Sequence, residues 1–176
     1  MLLLLLAFAF APSATSDAAA AATVRPRDAL ESPLIERMNE VRAAHGLRPL
    51  RGASVLMQAA TRHANSMGGS GYFRHELYTP NRSTTWTAFG TWIRWYWPGP
   101  GYTSWSAGEN LAWGAPDITA AQTVRRWMES PPHRANLLTP GWRRVGVAAV
   151  HVSGPSGYFG DWPEVTIVVA EFGRRS

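Results

Sequence analysis

Ala107-Gly108-Glu109-Asn110-Leu111-Ala112-Trp113 is followed by Thr119, then Val124, Trp127 and Met128, then the run Ser130-Pro131-Pro132-His133. The first segment reads as a short strand, with Glu109 set between a glycine and an asparagine near its start. Thr119 is an N-cap residue, and Val124, Trp127 and Met128 recur at the spacing that buries one helix face. Ser130-Pro131-Pro132 stops that helix, because proline lacks an N–H and clashes with the preceding turn. The same prolines suit the first turn of another helix, at His133.

Upstream of this stretch the pattern is helical. Ser32-Pro33 reads as an N-cap with proline at the first helical position, and Leu34, Ile35, Met38, Val41 and His45 form an apolar stripe closed by Gly46. A second helix runs from Ser54 to about Met67, with Leu56, Ala59, Ala60, His63, Ala64 and Met67 as its stripe and Gly68, Gly69 and Gly71 at its end. Downstream, Trp142 to Val152 and Glu164 to Phe172 are β-rich runs joined by a long Gly- and Pro-rich hairpin loop. Between the second helix and the central strand, residues 72–106 are irregular and aromatic. Trp92, Trp95 and Tyr96 share one side of a short helix there, and Pro98-Gly99-Pro100-Gly101 is a turn. Helices first and antiparallel strands later, with a helix between, make the class α+β.

The chain has 176 residues, 45% hydrophobic and 16% charged, which suits one globular domain. Residues 2–6 are all leucine, and small residues follow the apolar run. Residues 1–22 therefore read as an export signal, too short to span a bilayer, residues 23–31 as a linker, and residues 32–176 as the domain. There is no cysteine, which excludes disulfides, Cys-based zinc sites and thiol catalysis. The formal net charge is +5, and all 17 basic residues are arginine. They are spread along the chain without a dense block, which argues against nucleic acid as a partner and leaves a general attraction to anionic cell envelopes.

Of the five histidines, His45 and His63 lie on helix faces and read as packed or capping residues, while His151 carries no local signal. His75 follows a glycine cluster, and His133 sits where a backbone turn aims a side chain into a cleft. With Glu109 they make a candidate zinc set or an acid–base pair, although no short metal spacing such as H-E-x-x-H joins them. Neither G-x-S-x-G nor a phosphate-binding loop occurs. Trp92, Trp95 and Trp97 are candidates for ligand contact, against the alternative of core or cleft wall.

Four segments together resemble the bacterial branch of the CAP superfamily, the domain of cysteine-rich secretory and pathogenesis-related proteins. They are Met38-Asn39-Glu40-Val41-Arg42 running on to Gly46-Leu47-Arg48-Pro49-Leu50; Leu56 through His63 and Met67 to Phe73-Arg74-His75; Ala107-Gly108-Glu109-Asn110-Leu111-Ala112; and Val124, Trp127-Met128 and Ser130 through Leu138 to Val145-Gly146-Val147. The resemblance implies a three-layer α-β-α sandwich with a central antiparallel sheet. It also implies a cleft in which His75 and His133 are the two family histidines and Glu109 the glutamate of the Gly-Glu-Asn motif. Many eukaryotic members of that superfamily place a second glutamate three residues after the helix tryptophan. Here that position is Ser130, and Glu129 falls one residue short, a rotation of roughly 100° on a helix; it is kept as a cleft candidate. Asn39, Arg42 and Asn136 read as structural hydrogen-bonders.

The leading expectation is a secreted, non-catalytic binding or scaffold module that meets a lipid, glycan, peptide or protein, with a cleft for a divalent metal such as zinc held by His75 and His133. A metal-dependent peptidase or esterase using Glu109 on water is the alternative. A third reading is an envelope or spore-surface protein held by charge. Equally open is a structural role for the cleft, in which Glu109 only ties the histidines together.

Overall fold

In a computed structural model, residues 21–80 and 85–176 are described. All but the last two residues of the expected export signal lie outside them. The chain opens with strand β1 (Thr23–Pro26) and a 3-10 turn at Asp28–Leu30. Helix α1 (Glu31–Ala44), strand β2 (Arg51–Gly52) and helix α2 (Ser54–Ser70) follow. A small hairpin of β3 (Leu77–Tyr78) and β4 (Trp86–Thr87) leads to the short helix α3 (Phe89–Trp92). Then come β5 (Trp105–Gly114), α4 (Ala120–Glu129), α5 (Pro131–Leu137), β6 (Arg144–Ser153) and β7 (Glu164–Arg175).

The main sheet has the order β1-β6-β7-β5, antiparallel throughout, with β2 added in parallel to β6. Its central strand β7 is buried along most of its length, and both faces of the sheet are covered. Val145, Val147, Ala149, Val168, Ala170 and Phe172 face α1, α4 and α5. Ala148, Val150, Val152, Val165, Ile167 and Val169 face α2 and the loops beside it. The result is the expected α-β-α sandwich, and successive residues of each strand alternate between its two cores.

Close approach of α2 to the sheet depends on Gly146. A side chain there would run into the backbone of Leu56 and Met57. Gly71 ends α2 in the left-handed conformation, φ 63°, with its amide bonded to the Met67 carbonyl. A Cβ at Gly71 would strike the Ser156 backbone, so the β6–β7 loop is packed onto the helix end.

Three local expectations change. Residues 23–31 are not a linker: Thr23–Pro26 pairs with β6, Thr23 opposite Ser153 and Pro26 opposite Val150. The strand is short, mostly exposed and ends in proline, which an edge strand tolerates, so its sequence carries no alternation to read. Helix α1 begins at Glu31 after a 3-10 turn, so Ser32 is not its cap, and Pro33 falls in the first turn, where its missing N–H costs nothing. His45 is exposed, its Nδ1 on the Val41 carbonyl, and Arg42 takes the buried place. The Thr119 cap is as expected, completed by Gln122 as a capping box.

Candidate functional site

The site grows from the alternation of β5. Glu109 points toward α2, while Gly108 and Asn110 face α5. Asn110 Nδ2 donates to the His133 carbonyl at 3.0 Å, and its Oδ1 accepts from Asn136 Nδ2 at 2.9 Å. Trp142 Nε1 donates to the Asn136 carbonyl at 2.8 Å. A side chain at residue 108 would collide with Asn136 and Trp142, so glycine is what admits this network. Gly108 and Asn110 therefore fix α5, and with it His133, against the strand that carries Glu109.

On the other face, Glu109 is a bridge. Its Oε2 accepts from His63 Nδ1 at 2.6 Å and its Oε1 from His75 Nδ1 at 2.7 Å. An ionised carboxylate only accepts, so both imidazoles donate from Nδ1 and keep Nε2 as the second ring nitrogen. The Glu109 side chain is 1% exposed, that of His63 0% and that of His75 53%. Burial alone would raise the Glu109 carboxyl, but the hydrogen bonds from His63 and His75 outweigh it and hold the group below its ordinary range. The Glu109 hydrogen bond, against the pull of burial, raises His75.

Behind Glu109 stands Glu171, directly opposite it in the β5–β7 register. Residues paired in this way share a face of the sheet. Glu171 is wholly buried, and the group within its hydrogen-bond reach is the Glu109 carboxylate, to which a protonated Glu171 donates. Burial, then the charge on Glu109, pushes its carboxyl well above the ordinary range. Two adjacent carboxylates in one dry layer cannot both ionise, so Glu109 carries the charge and Glu171 the proton. Ligand atoms of His63, Glu109 and Glu171 lie within 4.8 Å of one another. Sequence reasoning placed His63 only as a packed residue and missed Glu171, which sits inside an apolar strand run with no motif around it.

His75, Phe89, Glu109, Pro132, His133 and Asn136 line one open cleft of about 360 Å³. Burial, and next the nearby His75, lower His133 from its ordinary value. The structure thus brings His75, Glu109 and His133 to one place. Glu129 is elsewhere: its side chain is 67% exposed and lies 3.9 Å from Arg125, because the one-residue offset turns it to the outer face of α4. Ser130 lines the neighbouring depression with His133.

The tryptophans divide. Trp92 and Trp97 are 0% exposed, so neither is a ligand platform. Trp92 Nε1 donates to the His75 carbonyl at 3.1 Å and its ring meets His63 edge-on at 5.0 Å. Trp97 packs over Gly173 and donates to the Ser106 carbonyl at 3.2 Å. Each indole N–H finds an acceptor and each ring a close-packed bed, the usual fate of buried tryptophan. Trp95 alone of the three is exposed, at 38%, with the Arg62 guanidinium 5.9 Å over its ring.

A family model described as the cysteine-rich secretory protein family, CAP, matches residues 35–172. The uncharacterized protein YkwD of Bacillus subtilis (strain 168) is 30% identical over 122 residues, covering 69% of this chain and 43% of that protein. The chain therefore spans less than half the length of that relative. An outer surface protein from Borrelia burgdorferi has a TM-score of 0.62 at 21% identity, over 82% of this chain and 92% of that one. An extracellular protein containing a SCP domain from Bacillus anthracis str. Ames has a TM-score of 0.62 at 22% identity, over 84% of this chain and 41% of that one. At such identities these two structures speak for the fold alone.

Proposed function

The chain belongs to the cysteine-rich secretory protein (CAP) family, and on that premise we propose that it is a secreted, non-catalytic binding module whose cleft takes a divalent cation, zinc by the chemistry of its ligands, between His75 and His133. The observation that carries the non-catalytic reading is the state of Glu109. Both its oxygens are engaged by histidines and its side chain is 1% exposed. A general base must come within hydrogen-bond reach of the proton it takes, and Glu109 offers no free oxygen to the cleft.

The residues fit a cation. His75 bonded through Nδ1 to a buried carboxylate is the arrangement that orients a metal-binding imidazole and strengthens its other nitrogen. Burial lowers His133, toward the neutral form a metal ligand needs, while Glu109 raises His75, so a cation would have to displace a proton there. Two imidazoles are one fewer than the usual three protein ligands of a catalytic zinc, which favours a binding role. A bound zinc would supply a Lewis-acidic anchor for an electron-rich ligand atom. Secretion is supported by the leucine run at residues 2–6 and by the match to a secretory protein family.

Calorimetric zinc titration of the purified protein, beside His75→Ala and His133→Ala, tests this. Micromolar or tighter binding lost in both variants is the expected result. Chelator-sensitive peptidase or esterase activity would replace the binding module with a hydrolase.

A further inference from the structure

Arginines that are scattered in sequence converge in space. Arg48, Arg51, Arg143, Arg144, Arg175 and Tyr102 line a pocket of about 500 Å³ where β2 joins β6 and β7 ends. Among the described residues no Asp or Glu lines it, and it shares no lining residue with the His75–His133 cleft. Arg51 and Arg144 are register partners across the β2–β6 pair. Like charges placed directly opposite are unfavourable, and five guanidiniums around one hollow multiply that cost. Outside the pocket, Arg27, Arg37 and Arg125 each meet an acid, Asp117, Glu40 and Glu129, while Arg62, Arg74 and Arg94 lie singly over tryptophan rings. What sets the pocket apart is convergence: five like charges share one hollow, a local conflict of the kind that functional sites carry.

Two of the five groups are already held in place. Arg175 stacks between Trp97 and Tyr102, its guanidinium 4.3 and 4.2 Å from the ring centroids, and its Nη1 bonds the Pro98 carbonyl. Arg143 Nη1 donates to the carbonyls of Pro140 and Trp142 at 2.8 and 2.9 Å. The remaining donors of each are left for something else, and fixing a fork in advance lowers the entropic cost of binding. Arg42, which bonds the Arg48 carbonyl, donates to backbone carbonyls and brings a further positive charge close to Arg143.

We propose that this pocket binds a ligand carrying two or more phosphate groups. Guanidinium forks match phosphate oxygens in pairs, five positive charges call for a multiply charged partner, and the volume exceeds what a single phosphate fills. The ligand is a soluble or polymeric phosphate, or the headgroups of an anionic lipid surface; the shared chemistry is the phosphate.

Pyrophosphate titrated calorimetrically into the purified protein at low salt is the test. Saturable one-to-one binding is expected, weakened about tenfold or more in Arg51→Gln/Arg144→Gln. The charge-matched control Arg37→Gln/Arg125→Gln, outside the pocket, is expected to bind as the parent does. Arg48→Gln gives a second reading away from the β2–β6 pairing. Cosedimentation with phosphatidylglycerol vesicles, displaced by pyrophosphate, would identify a lipid source; saturable pyrophosphate binding without vesicle binding would identify a soluble or polymeric one. Absence of saturable pyrophosphate binding, or equal loss in the control variant, would overturn the proposal.

Discussion

The Glu109 layer and the arginine pocket are opposite solutions to placing charge in one small domain. Around Glu109 the charge is buried and internally answered: two histidines donate to one carboxylate, and the second carboxyl is kept neutral. In the pocket the charges are open to solvent, all of one sign, and answered by carbonyls and aromatic faces instead of acids. A buried group without its partner must bear the full cost of desolvation, whereas an exposed one is served by water. Substitutions that strip the Glu109 charge of its answer, or the histidines of Glu109, should therefore damage folding, and substitutions in the second region should spare folding while removing binding.

Glu109 is where the contrast should be most costly to disturb. Glu109→Ala strands His63 and Glu171 in a dry layer and should cost ~3–5 kcal/mol, read by denaturant unfolding. A loss under ~1 kcal/mol would mean the layer is wetter than its burial implies.

Glu171→Gln tests the neutral carboxyl beside it. The folded protein holds the Glu171 proton well above the ordinary range, with burial the main cause and Glu109 the second. Below the unfolded value near 4.5 both states are protonated and there is no penalty; as pH rises above it, only the unfolded state ionises and stability is lost. The amide mimics the protonated acid, so the variant should be more stable than the parent at pH 7, by about 1–3 kcal/mol, and equal to it in strong acid. Glu109, held low, acts in the opposite direction: its contribution is present above about 4.5 and fades as pH falls through its folded value. Thermal unfolding followed from acid to neutral pH separates the two.

His75→Gln lies at the boundary of the layer. Its imidazole is raised in the fold, first by the Glu109 hydrogen bond, so its contribution is full below about 6.5 and lost as pH rises through the folded value. With 53% of the side chain exposed, solvent screening limits the effect to below ~1 kcal/mol. The smallest effect belongs to the pocket. Arg51→Gln/Arg144→Gln should change stability by no more than ~0.5 kcal/mol, in the direction of a gain, since it relieves like-charge pairing. A large loss there would show that the arginines hold the fold together and would erase the contrast between the two regions.

Helices α1, α2 and α4, strands β5, β6 and β7 and their order were legible in the amino-acid sequence, because helix faces, caps and proline stops act within a few residues of one another, whereas the short strands β1 to β4 carry no such pattern. Thr119, Pro131 and the stripe of Leu56 to Met67 are of that kind, and His75, Glu109 and His133 were named through motif resemblance. Which charges meet was settled by packing. Glu171 became the partner of Glu109 through β5–β7 register, and His63 through the docking of α2 on Gly146. Trp92 and Trp97 were packed inward by the same docking, and Glu129 was turned outward by a single helical step. The arginines at 48, 51, 143, 144 and 175 form no pattern along the chain and become one pocket when the strand ends are brought together. Local propensity is written in neighbouring residues, whereas the energy of a charge depends on what stands within a few ångströms of it, and that is set by chain segments far apart in sequence.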